Sequence, residues 1–353
     1  MYRTKKSNYR LLLSLSLGMM LMISCNIGPV TPDVKGIKVG LVTKRFEKEF
    51  FSIDTAQIET ELDRLEKKYP DFLNVFIFKI LGLEGIDSSN ITTALLKFMS
   101  DYRPIYDSSK TLESSIGRTA EEIEASLKLV KYYFPAYPIP KEFITFIGPI
   151  DAFAYGETGG YGEIITPTAL CSGLQLHLGD HSMVYKSEAG LQLYPEYISR
   201  RFTVEYIPVN CIKNIIDDIY PSRNNIRTLI DIMIEHGKRM YLLDILMPET
   251  EEALKLGYTK KQLKGVKENE GFIWNFFTEN NLLYETDIAK IRSYVSDGPY
   301  TTEFGEQSPG FVSLFIGRQI IQAYMNKHPE TKIDILLSME PKKILSGSAY
   351  KPR

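Results

Sequence analysis

The feature that most constrains the fold is the order in which helical and strand-like patterns follow one another along the chain. Apolar residues recur at helical spacing from residue 37 to about residue 140. Over residues 143–179 they form short runs separated by Gly and Pro, which is typical of three or four short strands. Helical spacing returns over residues 195–328. A small mixed sheet between two helical halves predicts an α+β, mainly helical fold.

The predicted elements are bounded by capping residues and by proline. Asp54 and Thr119 are placed as helix caps, and Ser308 as the cap of a last helix that starts with Pro309. The predicted helices cover residues 54–70, 71–83, 90–102, 119–135, 195–220, 226–247, 259–280 and 309–328. The predicted strands cover residues 143–147, 152–155, 163–165 and 174–176.

Residues 1–24 have the layout of a signal peptide, in which a basic segment precedes an apolar run. The apolar run covers residues 11–24. As a helix it spans roughly 21 Å, which is shorter than the hydrocarbon core of about 30 Å. We therefore predict a leader that directs export and is removed.

The leader ends at Met22-Ile23-Ser24-Cys25, which resembles the bacterial lipobox. In a lipobox a small residue precedes the cysteine that is acylated and becomes the first residue of the mature chain. We predict lipidation of Cys25, a lipidated tether over residues 25–36 and a single globular domain over residues 37–353. Several acyl chains on one residue anchor a protein stably to a membrane. The alternative is an ordinary secreted protein in which Cys25 stands by chance.

Composition and flanking residues narrow the location and the partners. The formal net charge is −2 and no basic cluster follows the leader, so nucleic acid is not a predicted partner. Asn26 is not the aspartate that commonly retains lipoproteins in the inner membrane, which favours the periplasmic face of the outer membrane. Cys171 and Cys211 either pair in an oxidising compartment or are buried as small apolar side chains.

The segment around residues 229–243 carries the strongest indication of a functional site. Its ends are apolar on nearly every face, which predicts burial, yet its middle holds Glu235, His236, Lys238 and Arg239. Buried charges must be paired or must line a cavity. One hypothesis pairs Glu235 with Arg239 four residues later, and the other places Glu235, His236 and Arg239 in a polar cleft.

Three further residues are assigned to the same predicted cleft. Asn269 and Glu270 stand beside Trp274, the one tryptophan, and are hard to place on a solvated helix face. Arg318 belongs to the segment Gly317-Arg318-Gln319, in which the glycine is expected to permit close helix packing.

No metal or other cofactor is predicted. The chain has four histidines, and His177 and His181 have the four-residue spacing of a zinc helix. A leucine stands where the general base of H-E-x-x-H belongs and a glycine follows it, so a loop is the better prediction for that segment.

The residues also resemble a known family, the gliding-motility lipoprotein B family of Bacteroidetes. The resemblance is carried over nearly the whole mature chain by short motifs in the same order. These motifs are Arg45-Phe46-Glu47-Lys48-Glu49-Phe50-Phe51, Leu65 to Pro70, Tyr133-Phe134-Pro135, Gly237 to Tyr241, Gly257-Tyr258-Thr259, Asn269-Glu270 with Trp274, Leu282-Leu283-Tyr284, Ser308-Pro309-Gly310 and Tyr350-Lys351-Pro352.

That family is in turn similar to predicted gluzincin-type zinc peptidases, in which a helix with H-E-x-x-H precedes a helix bearing a glutamate ligand. Glu235-His236-Gly237 resembles the second helix, and residues 209–216 fall where the first is expected. Residues 209–216 contain neither histidine nor glutamate. The resemblance therefore implies a degenerate metallopeptidase fold without a metal or catalytic residues.

Three functional hypotheses follow. The first is a non-enzymatic lipoprotein that binds an envelope protein or peptide through the cleft that such a fold leaves behind. The second is a metal- or carboxylate-dependent hydrolase that uses Glu235, Glu270 and His236. The third is a structural scaffold without a ligand cleft.

Overall fold

The computed structural model describes residues 31–154, 162–222 and 227–352. The chain divides into two units, Met1–Asp33 and Val34–Arg353. The first is described only at residues 31–33, which form neither helix nor strand. The second is mainly helical with one small mixed sheet, which confirms the predicted fold class.

The first helical part packs around aromatic side chains. The ring of Phe46 lies 4.8–5.5 Å, centroid to centroid, from the rings of Phe50, Tyr69, Phe72 and Phe76. Aromatic pairs at this distance add to the free energy gained by burial. The helices are α1 (Phe46–Phe50), α2 (Ile58–Lys68), α3 (Phe72–Asn74), α4 (Ser88–Ser109) and α5 (Glu113–Tyr133), with 3-10 turns at Thr55–Gln57 and Lys110–Leu112 and a π-helical turn at Val75–Ile80.

Two predicted boundaries in this part are wrong. Thr119 does not cap a helix, because its hydroxyl donates to the carbonyl of Ser115 within α5, which begins at Glu113. The helix predicted to end at residue 102 continues to Ser109 and contains Pro104. The cap predicted at Asp54 is confirmed, since its carboxylate accepts the N–H of Ala56.

The sheet has four strands in the order β1-β2-β4-β3. The strands are β1 (Val42–Arg45), β2 (Glu142–Phe146), β3 (Glu163–Ile165) and β4 (Ala169–Gly173). β2 pairs in parallel with β1 and with β4, whereas β3 pairs antiparallel with β4, so that Ile164 lies opposite Cys171. β3 is therefore an edge strand.

Two of the predicted strands are confirmed and two are wrong. β2 and β3 lie where they were expected, whereas β1 and β4 were missed. The sequence of β1, Val-Thr-Lys-Arg, lacks an apolar alternation. Residues 152–154 form a turn, and residue 155 lies outside the described residues. Residues 174–176 form a 3-10 turn, in which the side chain of Gln175 accepts the N–H of Gly148.

The second helical part contains shorter helices than predicted. The segment predicted as one helix over 195–220 is split, and the one over 259–280 is interrupted at Asn269. The helices are α6 (Met183–Lys186), α7 (Glu188–Leu193), α8 (Glu196–Ser199), α9 (Tyr206–Ile219), α10 (Leu229–Leu246), α11 (Glu252–Leu256), α12 (Lys260–Glu268), α13 (Glu270–Glu279), α14 (Ile288–Val295), α15 (Val312–Lys327), α16 (Ile333–Ser338) and α17 (Pro341–Ser348), with 3-10 turns at Leu282–Tyr284 and Thr302–Phe304.

The last long helix does not start at Pro309. α15 begins at Val312, after Phe311 in the left-handed region at φ 59°. The hydroxyl of Ser308 accepts the N–H of Thr301 at 3.0 Å instead of capping the helix.

Glycine sets the distance between α10 and α15. A Cβ atom at Gly317 would lie 1.7 Å from the carbonyl oxygen of Met233, and one at Gly237 would lie 2.2 Å from the carbonyl oxygen of Gly317. The two backbones are thus in direct contact at this crossing, as expected for Gly317. The contact fixes α10, which carries the predicted cleft residues.

Candidate functional site

A cavity of about 960 Å³ lies beside the edge strand β3. Its walls come from β3, α9 and α10, and its rim from residues 200–201, 256–258, 297–298 and 309–311. The volume is in the range of small-molecule and peptide sites. The apolar part of the lining consists of Ile164, Ile165, Ile216, Ile232, Met240, Leu243, Leu256, Pro309, Phe311 and Leu314.

Glu235 lies in this cavity wall, and its charge is balanced by a buried lysine. The ammonium of Lys238, which is fully buried, lies 2.7 Å from Glu235 Oε1. The hydroxyl of Tyr220 donates to Glu235 Oε2 at 2.5 Å. Lys238 Nζ also donates to the carbonyl oxygens of Leu337 and Met339, at 3.2 and 2.8 Å. Both ionised groups are therefore satisfied inside the protein.

Arg239 is only a distant partner of Glu235, at 4.0 Å. Its guanidinium donates to Asp217 Oδ1 at 3.1 Å and to the carbonyl oxygen of Tyr220 at 2.9 Å. The hypothesis that Glu235 and Arg239 satisfy each other is thus corrected: Lys238, one residue earlier, is the ion-pair partner. Arg239 nevertheless lines the cavity, as predicted for the cleft.

His236 also lines the cavity and is held as a neutral imidazole. Burial, together with the positive charge of Arg239, lowers the pKa of His236 to about 3. Its Nδ1 lies 3.0 Å from the hydroxyl of Ser313, and its ring packs edge-on against Phe311. Within the described residues, the other ring nitrogen has no hydrogen-bond partner. His236 therefore acts as a hydrogen-bonding group and not as an acid or base near neutral pH.

The structure does not bring Asn269, Glu270 or Arg318 to this cavity. Glu270 accepts a hydrogen bond from the hydroxyl of Tyr350 at 2.7 Å, because α13 packs its first turn against the C-terminal segment. Asn269 caps the preceding helix by donating to the carbonyl oxygen of Gly265.

Arg318 points elsewhere because two carboxylates hold it. Its guanidinium lies 2.6 Å from Asp244 Oδ2 and 2.7 Å from Glu252 Oε1. Glu235, His236 and Arg239 are thus brought together, and the other three predicted cleft residues are separate from them.

A second buried carboxylate in the wall, Glu163 on β3, was not predicted. His177 Nε2 lies 2.6 Å from Glu163 Oε1, and Ser172 Oγ donates to the same oxygen at 2.8 Å. Asn210 Nδ2 donates to Oε2 at 2.9 Å. His177 Nδ1 faces the carbonyl oxygen of Thr203 at 3.0 Å. The two ring nitrogens of His177 thus both face oxygen atoms, and Glu163 is bonded at both of its carboxylate oxygens.

The histidines are not arranged as a metal site. His177 is hydrogen-bonded to Glu163, while the side chain of His181 is 93% exposed. Residues 209–216 lie within α9, where Asn210 and Asn214 both donate to Glu163. In the three described ranges of the chain, no group of three or more His, Cys, Asp or Glu side chains is placed to hold a metal ion.

Cys25 lies outside the described residues. Cys171 and Cys211 are both buried free thiols, which decides between the two possibilities left open for them. Burial raises the pKa of each thiol well above its ordinary value, so neither is activated as a nucleophile.

Fold and cavity together define a mainly helical α+β protein with a preformed cleft against a sheet edge. The sequence model of the family described as "Gliding motility protein GldB" matches residues 28–352. The chain belongs to this family of gliding-motility lipoproteins. Searches of curated proteins and of solved structures found no match. Among the described helices, none is both long enough and apolar enough to cross a bilayer.

Proposed function

We propose that this protein is held by a lipid on Cys25 at the periplasmic face of the outer membrane, and that it binds an envelope protein or peptide in the cavity without catalysing a reaction. Membership of a gliding-motility lipoprotein family supports the anchor. The residues before the folded unit support it too, since they read as a leader and a lipobox.

The observation that carries the binding role is the ion pair of Glu235 and Lys238. Glu235 is the residue that, by resemblance to gluzincin peptidases, would be a relic of a metal ligand. Its carboxylate is instead neutralised by an ammonium 2.7 Å away. Because Lys238 already balances the charge of the Glu235 carboxylate, this carboxylate does not favour the binding of a further cation. His236 beside it is neutral and does not titrate near neutral pH. The cleft is therefore suited to binding.

Cross-linking in the envelope tests the binding role. A photo-cross-linker at Leu314, in the cavity lining, is expected to trap a discrete partner in cells. Ile232→Trp fills the cavity from α10 and should abolish that product. Ile335→Trp, at a half-exposed isoleucine on α16 outside the lining, is the matched control and should leave it intact. A product that persists in Ile232→Trp would refute the proposal.

Two further measurements separate the proposal from a hydrolase and test the anchor. Metal analysis of the purified full chain should find no stoichiometric zinc, and stoichiometric zinc that is lost in Glu235→Ala would favour the hydrolase. Cys25→Ala should release the protein from the membrane fraction, whereas Cys171→Ala, at a buried thiol, should not.

A further inference from the structure

The ladder between β3 and β4 determines which backbone groups of β3 face the cavity. The N–H of Gly173 donates to the carbonyl of Gly162 at 2.9 Å, and the N–H of Thr166 donates to the carbonyl of Ala169 at 2.8 Å. In an antiparallel ladder hydrogen-bonded and non-hydrogen-bonded pairs alternate. Ile164 is therefore bonded to Cys171, and the N–H and C=O of Ile165 point away from β4.

Ile165 offers an unused donor and an unused acceptor in the cavity wall. Its side chain is half-buried and lines the cavity. Within the described residues, neither its N–H nor its C=O has a hydrogen-bond partner. The outward carbonyl of Glu163, two residues earlier, is occupied by the side-chain amide of Asn214 at 3.0 Å. The open edge is thus centred on Ile165.

Most of the charged groups around this edge are held by other protein groups. Arg200 donates to the carbonyl oxygen of Gly257, and Asp218 accepts a hydrogen bond from the hydroxyl of Tyr137. Besides Glu163 and Glu235, the wall contains Arg201 paired with Asp297, and Arg239 paired with Asp217. An anionic or cationic ligand that engages one of these ion-paired groups would compete with the partner that the group already has. The wall therefore favours a ligand recognised by main-chain hydrogen bonds and apolar contacts.

We propose that an extended, uncharged and mainly apolar peptide segment of a partner protein adds to the free edge of β3 at Ile165. One peptide residue pairs with the N–H and C=O of Ile165, and alternate side chains of the peptide contact the apolar lining, which includes Ile232 and Leu314. This inference rests on the proposed function and specifies its ligand and its mode of docking.

Blocked synthetic peptides are the probe. A set of N-acetylated, C-amidated heptapeptides composed of Val, Ile, Thr and Ser is titrated against the full chain in detergent, with isothermal titration calorimetry as the readout. At least one should bind saturably, and Ile232→Trp should prevent binding. A matched set with Glu or Lys at alternate positions should bind at least tenfold more weakly.

The backbone contact is tested by altering the protein and, separately, by altering the peptide. Ile165→Pro removes the outward N–H from an edge strand, where proline is tolerated, and should weaken binding at least tenfold. Thr43→Pro is the matched control: Val42 donates inward to Lys141, so the N–H of Thr43 faces outward at the opposite edge. The affinity of the Thr43→Pro variant for the neutral heptapeptides should be unchanged. Single N-methylation of alternate peptide bonds should weaken binding to the unaltered protein to the same degree.

Several outcomes would overturn the inference. These are no binding by any neutral peptide, equal binding to Ile165→Pro, or an N-methylation series without effect; the last is decisive even if a proline variant fails to fold. The proposed function fails separately. If the envelope cross-link depends on Ile232 but survives Ile165→Pro, the cavity binds its partner by another mode and only the strand addition is wrong.

Discussion

The two walls of the cavity each bury a carboxylate but stabilise it in different ways. On the helical wall, Glu235 faces the ammonium of Lys238, which is itself fixed by two backbone carbonyls. On the strand wall, Glu163 faces the imidazole of His177 and also accepts hydrogen bonds from Ser172 and Asn210. The helical wall therefore pairs its carboxylate with a lysine that backbone oxygens hold in place, whereas the strand wall holds its carboxylate through three side-chain hydrogen bonds.

The largest expected effect comes from removing the buried ammonium group of Lys238. Lys238→Met leaves Glu235 buried without its compensating charge, and should lower the free energy of unfolding by about 3–5 kcal/mol in urea titrations. Adding Glu235→Gln should recover much of the loss, because no ion is then left behind. A double variant no more stable than Lys238→Met would show that the loss reflects packing.

Disrupting the strand wall should cost less. His177→Gln removes the ring that bonds Glu163, but Glu163 still accepts hydrogen bonds from Ser172 and Asn210. We expect a loss of about 1–3 kcal/mol in the same titrations. A loss equal to that of Lys238→Met would mean that the two walls do not differ in the way described.

The same comparison explains what the sequence could and could not predict. Glu235 and Lys238 lie on one helix three residues apart, so a local pattern brought Glu235, His236 and Arg239 to the right place. The pattern did not distinguish Lys238 from Arg239, because both spacings put the partner near Glu235. That choice depends on Leu337 and Met339, whose carbonyls lie about a hundred residues away in the chain.

No periodic pattern in the sequence indicates the contacts of the strand wall. Glu163 is bonded to side chains 9, 14 and 47 residues further along the chain. His177 stood out in the sequence only as a weak zinc candidate. Glu270 was misplaced for the same reason, because its partner Tyr350 lies 80 residues later and no local pattern turns α13 toward it.

Two histidines, His236 in the cavity lining and His177 bonded to Glu163, extend the comparison to pH. Unlike His177, His236 has a hydroxyl partner and a neighbouring arginine, and its pKa falls to about 3. An unfolded histidine has a pKa of about 6.5, so below that pH the unfolded state binds more protons and stability declines as pH falls toward 3. Between pH 7 and pH 5 this loss is about 2 kcal/mol.

His236→Gln removes this dependence. Its free energy of unfolding should fall between pH 7 and pH 5 by about 2 kcal/mol less than that of the unaltered protein, in urea titrations at the two pH values. Parallel pH dependences would show that His236 is hydrated in the folded state, and so accessible for protonation in the cavity.

The smallest expected effect concerns a side chain that joins α9 to the backbone of β3. Asn214 on α9 holds the outward carbonyl of Glu163, so Asn214→Ala frees a second acceptor next to Ile165. A peptide strand paired with β3 gains one hydrogen bond, and neutral heptapeptides should bind roughly 0.5–1 kcal/mol more tightly. Asn326→Ala, at an exposed position on α15 outside the cavity, should leave affinity unchanged. Weaker binding to Asn214→Ala would mean that the Asn214 amide contacts the peptide itself. The peptide would then be bound by α9 and not through the free edge of β3.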